Sequence, residues 1–292
     1  MERRHTLVSS NVSRKRSILR SLLVVACLPF IANAQPRTGT SSAGLYYEVS
    51  GAGDPVVLIH GFSIDRRMWD PQMPALQGRF TVIRYDLRGH GKSDPPSSPY
   101  STSDDLRSVL DAVDVRRAAL VGLSAGAQVA TDFALAYPDR VTRLVLTAPG
   151  VGGMAMPPLP WMQPVLQAAT AGEPERAASL WAETPIMTLR SDTSAAATLR
   201  ELVMSNSRVW TFRTNPVQPL TPPAIKRLSE IKVPALVIVG DRDLPHIVEA
   251  ANVLATGIAG AKLVTMPGAG HIVNIDARER FTEQVVRFLA GR

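Results

Sequence analysis

The sequence predicts an α/β protein with a mostly parallel central sheet, helices on both faces of that sheet and a helical insertion. Three observations predict this fold. Short apolar runs alternate with helix-like segments from residue 45 to 150, and the alternation returns after residue 233. The segment 151–221 between these two parts lacks strand signals. Strands that alternate with helices imply right-handed crossovers, which make the strands parallel.

The predicted strands are short runs rich in Val, Ile and Leu, as strands buried on both faces should be. "LYYEVSG" precedes them and predicts an antiparallel edge strand, with "SGAGD" as its turn. The others are "PVVLIH" ending at His60, "FTVIRYD" ending at Asp86, "RAALVGLS" ending at Ser124, "RVTRLVLTAP" ending near Pro149, "VPALVIVG" ending at Gly240 and "AKLVTMPG" ending at Gly268.

Helical periodicity predicts helices between these strands, near 66–77, 103–113, 125–137, 246–257 and 275–290. The insertion opens with "PGVGGMAMPPLP" and closes with "NPVQPLTPP", which are both turn-rich, and we expect helices between them. It carries Met154, Met156, Met162, Met187 and Met204, and also Trp161, Trp181 and Trp210. Most of these side chains should pack the insertion onto the body, but some could line an apolar pocket.

The N-terminus predicts a signal peptide over residues 1–34. Basic residues precede the apolar run "SLLVVACLPFIA", and the small-x-small tripeptide "ANA" favours cleavage before Gln35. The run is short and is broken by Pro29, so it makes a poor membrane span. We therefore expect an exported protein, periplasmic or secreted, with no stable membrane span after cleavage. An uncleaved anchor, a disordered tail and lipid attachment at Cys27 are the alternatives.

Charge and cysteine content exclude several classes of function. Of the formal net charge of +7, the first 34 residues carry +5, so the near-neutral body does not indicate nucleic-acid binding. Cys27 is the only cysteine, so the mature chain would lack disulfides and a thiol nucleophile. "GHGKS" resembles the end of a phosphate loop, but the required glycine position holds Asp86. No metal-ligand spacing is present either, and we expect no metal and no cofactor.

The stretch "LVGLSAGAQVA" places Ser124 between Gly122 and Gly126, where a predicted strand meets a predicted helix. At such a junction the chain reverses sharply and exposes the serine oxygen, and small neighbours avoid a backbone clash. The Gly-x-Ser-x-Gly pattern alone would occur by chance in roughly one such chain in ten. Its position between a strand and a helix makes Ser124 the predicted nucleophile.

A serine nucleophile needs a base, and the base needs an orienting acid. His271 follows the last predicted strand, from which a loop can reach back over the sheet edge, so we predict it as the base. The other histidines fit less well: His5 lies in the signal peptide, His60 and His90 follow the first strands, and His246 comes three residues after Asp243.

The acid should come from "VIVGDRDLPH", which offers Asp241 and Asp243. We favour Asp243 because it lies further along the loop and can turn toward His271. Asp241 would then be a surface or turn residue.

The order Ser124, Asp243, His271 is the serine-acid-histidine order of the α/β-hydrolases. The chain resembles a single-domain member of the esterase, lactonase and perhydrolase type over about residues 45–290. The resemblance implies a hydrolase domain over 35–292, with a cap insertion at about 151–221. The matching segments are "VVLIHGFSIDRRMWDPQ", "VIRYDLRGHGKSD", "LVGLSAGAQVATDFALAYPDRVTRLVLTAP", "VPALVIVGDRDLP" and "MPGAGHIVNIDARERF".

The resemblance also implies an oxyanion hole formed by the backbone N–H groups of Phe62 and Ala125. The alternative for "HGF" is a plain turn between strand and loop. Members of the family often read Ser-Met-Gly-Gly at the nucleophile, whereas this chain reads "SAGA" from Ser124. Ala125 still supplies its N–H, but the shape of the pocket floor can differ.

Together these features predict a serine hydrolase that cleaves a carboxylic ester or lactone through an acyl-enzyme on Ser124. The expected partner is a small, apolar ester. A perhydrolase or cofactor-free haloperoxidase, or a C–C bond hydrolase, could use the same triad. A non-catalytic ligand-binding protein on the same fold is the alternative of another class. Natural substrate, acyl length and oligomeric state stay open.

Overall fold

The structure, a computed structural model, describes residues 1–2, 5–6, 36–212 and 216–291. Apart from residues 1–2 and 5–6, the predicted signal peptide lies outside the described residues, as do Cys27 and the predicted cleavage site before Gln35. Residues 35–292 form one compact unit. No helix within the described ranges is long and apolar enough to cross a membrane.

Eight strands form one sheet in the order β1-β2-β4-β3-β5-β6-β7-β8. All pairs from β4 to β8 are parallel, whereas the β1–β2 and β2–β4 pairs are antiparallel. The predicted mostly parallel sheet is therefore confirmed. The strands are β1 (Arg37–Thr40), β2 (Tyr46–Ser50), β3 (Asp54–Ile59), β4 (Phe80–Tyr85), β5 (Ala118–Leu123), β6 (Val141–Thr147), β7 (Ala235–Gly240) and β8 (Lys262–Met266).

Nine α-helices lie in the described residues: α1 (Met73–Gln77), α2 (Thr102–Ala112), α3 (Ala125–Ala136), α4 (Gln163–Thr170), α5 (Pro174–Ala182), α6 (Ala196–Met204), α7 (Pro245–Gly257), α8 (Val273–Asp276) and α9 (Arg278–Leu289). The helix predicted near 66–77 is only partly α-helical, because a 3₁₀-helix over Arg66–Gln72 precedes α1. The helix predicted near 275–290 is confirmed as α9, which begins at Arg278, and the short α8 precedes it. Ala277, at φ −125° and ψ 42°, separates α8 from α9.

The direction in which the chain adds strands to the sheet reverses at β3, and this reversal puts helices on both faces. The chain runs from β3 to β4 on one side and then to β5 on the other. Since parallel crossovers are right-handed, the connections made in the two directions lie on opposite faces. In agreement, α1 contacts α9 and α2 contacts α3. The loops that follow β3 and β5 therefore meet at a topological switch point, where ligands bind in open α/β sheets.

The N-terminal edge differs from the prediction. "LYYEVSG" does form an antiparallel strand, β2, but β2 is not the edge. The edge is β1, whose sequence "RTGT" carries no apolar pattern and whose residues are mostly exposed. Backbone pairing with β2 holds this strand, so side-chain patterning could not reveal it.

The insertion between β6 and β7 forms a cap of short helices, α4 to α6. In its described part, residues 151–212 and 216–221, it adds no strand to the sheet; an isolated bridge joins Val217 to Tyr100. Arg208 tethers the cap to the loop after β4, because its guanidinium donates hydrogen bonds to the carbonyl oxygens of Gly89, His90, Gly91 and Ser93. The cap is thus fixed over the loops at the carboxyl ends of the strands.

Candidate active site

Ser124 lies between the end of β5 and the start of α3, in a conformation that few serines adopt. Its φ is +57° and its ψ is −115°. A Cβ atom on Gly122 would lie 2.2 Å from the carbonyl oxygen of Gly126, and one on Gly126 would lie 2.2 Å from that of Ile59. Both positions must therefore be glycine for the helix to start directly against the sheet. This is the sharp, strained turn that exposes a nucleophile.

His271 and Asp243 form a buried hydrogen-bonded pair. His271 Nδ1 lies 3.0 Å from Asp243 Oδ2 and 3.1 Å from Oδ1. Both side chains are almost completely buried. The N–H of Leu244 also donates to Asp243 Oδ1, at 2.7 Å. A carboxylate held in this way fixes the imidazole with its proton on Nδ1 and leaves Nε2 free to act as a base.

The two alternatives from the same segment have other environments. Asp241 is exposed and accepts a hydrogen bond from the N–H of Gly268 at 2.7 Å, which is a turn contact. His246, on α7, has a pKa lowered by burial. Among the hydrogen bonds of the described residues, none joins Ser124 Oγ to His271, so the contact between nucleophile and base is not formed in this structure.

His60 and His90 support the loops and are held neutral. His60 Nδ1 lies 2.7 Å from the carbonyl of Gly61, and its Nε2 accepts from the N–H of Leu87 at 2.8 Å. His90 Nε2 accepts from the N–H of Ser63 at 3.2 Å. Burial lowers the pKa of His60 to about 4 and that of His90 to about 3. Each ring uses both nitrogens on backbone groups, which suits a structural role.

The two residues predicted for the oxyanion hole follow β3 and β5. A Cβ atom on Gly61 would lie 3.6 Å from Ser124 Cβ, so the loop before Phe62 contacts the nucleophile. In the described part of the chain, neither the N–H of Phe62 nor that of Ala125 donates a backbone hydrogen bond. Two such donors beside a serine are the arrangement that stabilises a developing oxyanion.

A cavity of about 880 Å³ begins at these two residues and extends under the cap. Phe62 and Ala125 line its inner end, although Ser124 and His271 do not belong to its lining. Phe62 also joins an aromatic cluster, with ring centroids 5.2 Å from Trp210 and 5.8 Å from Trp181. The cavity is large enough for a small organic substrate.

Of the Met and Trp residues predicted in the insertion, Met162 and Trp210 line this cavity. Most of the others pack the cap onto the body: Met154, Met187, Met204, Trp161 and Trp181 are buried or half-buried against the core. Met156 is exposed. The expectation that most of them pack rather than contact substrate agrees with this arrangement.

Sequence reasoning did not identify Asp276. This buried carboxylate accepts hydrogen bonds from the N–H groups of Arg190, Ser191 and Asp192 in the cap and of Gly270 next to His271. It therefore ties the cap to the histidine loop. Asp276 is the last residue of α8, and no local sequence pattern indicates its contacts with residues more than eighty positions away.

Asp132 was also missed. The residue is 7% exposed, it lines the cavity, and its Oδ1 has no hydrogen-bond partner. A signal was available in "AGAQVATDFALA", because Gln128 and Asp132 are the strongly polar side chains of an otherwise apolar helix.

The phosphate-loop resemblance of "GHGKS" has a structural explanation. Asp86 Oδ2 accepts the N–H of Lys92 at 2.8 Å and pairs with Arg66 at 2.8 Å. A Cβ on Gly91 would fall 2.1 Å from the same carboxylate oxygen. The loop is therefore folded around an internal carboxylate. Within the described ranges, no group of three or more His, Cys, Asp or Glu side chains is placed to hold a metal ion.

A mostly parallel sheet, a serine at positive φ after a central strand and a carboxylate-histidine pair after later strands define the class of α/β-hydrolase folds. The profile described as the alpha/beta hydrolase family matches residues 56–284. The chain belongs to the alpha/beta hydrolase family. The resemblance and the prediction of an enzyme of this family are confirmed.

Three similar proteins illustrate the range of this family. An uncharacterized protein of Mycobacterium tuberculosis (strain ATCC 25618 / H37Rv) is 30% identical over 274 residues, covering 83% of this chain and 77% of that protein. The enol-lactonase from Burkholderia xenovorans LB400 has a TM-score of 0.70 and 27% identity, over 87% of this chain and 100% of its own. A thermophilic esterase from Thermogutta terrifontis has a TM-score of 0.69 and 27% identity, and the match covers 88% of this chain and 99% of that chain.

Proposed function

We propose that this protein hydrolyses carboxylic esters or lactones through an acyl-enzyme on Ser124. The observation that carries the proposal is the buried His271–Asp243 pair, with Nδ1 3.0 Å from Oδ2, in a chain whose Ser124 occupies the strained turn after β5. The similarity to an enol-lactonase and to an esterase supports esters and lactones as the substrate class.

In the first half-reaction, Ser124 Oγ attacks the carbonyl carbon while His271 Nε2 takes the hydroxyl proton. Asp243 holds the imidazole and stabilises the imidazolium that forms. The N–H groups of Phe62 and Ala125 stabilise the oxyanion. The C–O bond to the leaving alcohol then breaks, His271 gives its proton to the alkoxide oxygen, and an ester on Ser124 remains.

In the second half-reaction, a water molecule attacks the acyl-enzyme. His271 takes one proton from the water and passes it to Ser124 Oγ as the acyl–oxygen bond breaks. The products are a carboxylic acid and free enzyme. We expect Ser124 Oγ and His271 to come within hydrogen-bond distance in the complex with substrate, where catalytic hydrogen bonds tighten.

The experiment is turnover of p-nitrophenyl esters from C2 to C12. Ser124→Ala should lower kcat/KM at least about 10³-fold, because loss of the nucleophile removes the covalent route. Ser63→Ala is the matched control, since Ser63 also has a positive φ, of 66°, and its Oγ lacks a hydrogen-bond partner. Equal rates for wild type and Ser124→Ala would contradict the proposal, and inactivity of the folded wild type would favour the binding-protein alternative.

The same triad could transfer the acyl group on Ser124 to hydrogen peroxide instead of water, or it could cleave a C–C bond. Peracid formation in the presence of peroxide measures the first alternative, and product analysis with a β-diketone measures the second. Esters and lactones are the primary proposal, because two of the similar structures are an enol-lactonase and an esterase.

We also propose that the enzyme acts outside the cytoplasm. The proposal rests on the sequence of residues 1–34, with its basic start, apolar run and small-x-small end. Lipid attachment at Cys27 is the alternative.

A further inference from the structure

One face of α3 leads from the proposed oxyanion hole along the cavity. Ala125, Gln128, Val129 and Asp132 all line it, with spacings of three, four and seven residues that put them on one side of the helix. Seven residues of α-helix advance about 10 Å. Asp132 therefore lies about two turns beyond the proposed oxyanion donor, along the wall that a bound substrate would follow.

Asp132 brings a carboxylate into this wall without a cation to pair with it. The residue is buried, with 7% of its surface exposed. The Oδ1 atom has no hydrogen-bond partner. Burial raises the pKa of Asp132 to about 6, and the polar side chain of Gln128 opposes this increase. At about pH 8 the group is still ionised, and a buried, unpaired carboxylate is costly.

The other charged groups of the cavity do not neutralise Asp132. Arg88 pairs with Asp105, with Nε 3.0 Å from Oδ2, and its guanidinium also lies 4.8 Å from the ring centroid of Tyr100. His90 is neutral above about pH 3. The charges of Arg88 and Asp105 cancel each other, so the residues that line the cavity carry one net negative charge, on Asp132.

We propose that Asp132 is the end of a substrate subsite that binds a primary ammonium group on an ester or lactone. Gln128 supplies a second polar contact, and the apolar wall between these residues and Ala125 receives the methylene chain. An ammonium in the cavity would form a charge-assisted hydrogen bond with this carboxylate, which lines it. This inference rests on the proposed function and narrows its substrate class, carboxylic esters or lactones, to those that carry a remote cation; it replaces the apolar ester expected from the sequence.

The test compares two methyl esters of equal length, methyl 6-aminohexanoate and methyl heptanoate, by acid release at about pH 8. Five methylene groups separate the ammonium from the carbonyl carbon, a length similar to the two helical turns. The ratio of kcat/KM, aminated over plain ester, should fall about 10-fold to 100-fold in Asp132→Asn.

Asp139→Asn is the matched control, because it removes the same charge from an exposed position near the end of α3. In Asp139→Asn, the ratio of kcat/KM on the aminated ester to that on the plain ester should equal the wild-type ratio. An unchanged ratio in Asp132→Asn, or an equal fall in Asp139→Asn, overturns the proposal.

A binding measurement separates this proposal from the proposed function. Calorimetry on Ser124→Ala needs no turnover, with hexylammonium as the probe and 1-hexanol as its neutral counterpart. Adding Asp132→Asn should raise the Kd of hexylammonium about tenfold or more and leave that of 1-hexanol unchanged. If hexylammonium binds equally well to Ser124→Ala with and without Asp132→Asn, the proposed ammonium subsite is overturned. If neither ester is hydrolysed but hexylammonium binding depends on Asp132, the proposed function fails and the subsite stands.

Discussion

The strained backbone of Ser124 persists because its peptide groups are held from several sides. Its N–H donates to the carbonyl of Thr147 at 2.8 Å, and its carbonyl accepts from the N–H groups of Ala127, Gln128 and Gly150. A positive φ on a residue with a Cβ costs about 1–3 kcal/mol. Four hydrogen bonds oppose that cost and hold the backbone of Ser124 in place.

The glycines around Ser124 give the first prediction. Gly126→Ala should lower the free energy of unfolding by at least about 2 kcal/mol, because the new Cβ would overlap the Ile59 carbonyl at 2.2 Å. Gly78→Ala is the control, since a Cβ there meets its nearest atom at 3.7 Å and the residue has helical φ and ψ. Urea denaturation measures both variants. Equal stability of the two would show that β3 does not approach α3 as closely as described.

His90 gives a second prediction, on pH dependence. Its pKa is lowered to about 3 in the folded protein, so between about pH 6.5 and 3 the unfolded chain binds more protons at this site. Acidification through that window therefore destabilises the fold by up to about 1.4 kcal/mol per pH unit. In His90→Gln this contribution is absent, so its unfolding free energy should fall less steeply below pH 6.5.

Urea denaturation from pH 7 to 4 measures the difference in slope. Parallel curves for wild type and His90→Gln would contradict the neutral, buried state of His90.

At the scale of elements, the cap and the histidine loop share one anchor, Asp276. Asp276→Asn should cost about 3 kcal/mol of stability, because four backbone donors lose a charged acceptor and the amide adds donors of its own. It should also lower kcat more than it changes KM, since the Gly270 contact adjoins His271. Asp241→Asn is the control: its carboxylate is exposed and accepts a single N–H, from Gly268.

Thermal unfolding and ester kinetics on both variants check this prediction. Equal effects of Asp276→Asn and Asp241→Asn would contradict the anchoring role.

The elements predicted from sequence are those that bury apolar side chains in a regular period. β5 and β7 are buried at every residue, and their continuous apolar runs predicted them with bounds close to those found. β1 could not be predicted, because backbone pairing alone holds it. The break at Ala277 was missed because the helical pattern continues across it. Within the cap, short turn-rich segments gave no usable period for α4 to α6.

The candidate site was predictable where a residue follows a strand. Parallel strands end at one edge of the sheet, so the positions of Ser124, Asp243 and His271 after their strands were enough to nominate them. Asp132 and Asp276 lie within or beside helices, and their partners are brought to them by the cavity and the cap. Those contacts exist only in the assembled fold.

For the whole molecule, the N-terminal sequence predicts processing. In a bacterial host with an active secretion pathway, the protein recovered from the periplasm or medium should begin at Gln35. N-terminal sequencing and the intact mass measure this. Changing Ala34→Arg should block cleavage, because signal peptidases require a small residue there. A cytoplasmic protein that begins at Met1, or one lipidated at Cys27, would contradict the prediction.

The most direct test of the account is the site of covalent labelling by a fluorophosphonate, mapped by peptide mass spectrometry on folded protein. The account predicts one adduct, on Ser124, that is absent in Ser124→Ala and forms much more slowly in His271→Gln. Labelling in Ser63→Ala should match wild type. An adduct on another residue, or no adduct on folded wild-type protein, would contradict Ser124 as the nucleophile.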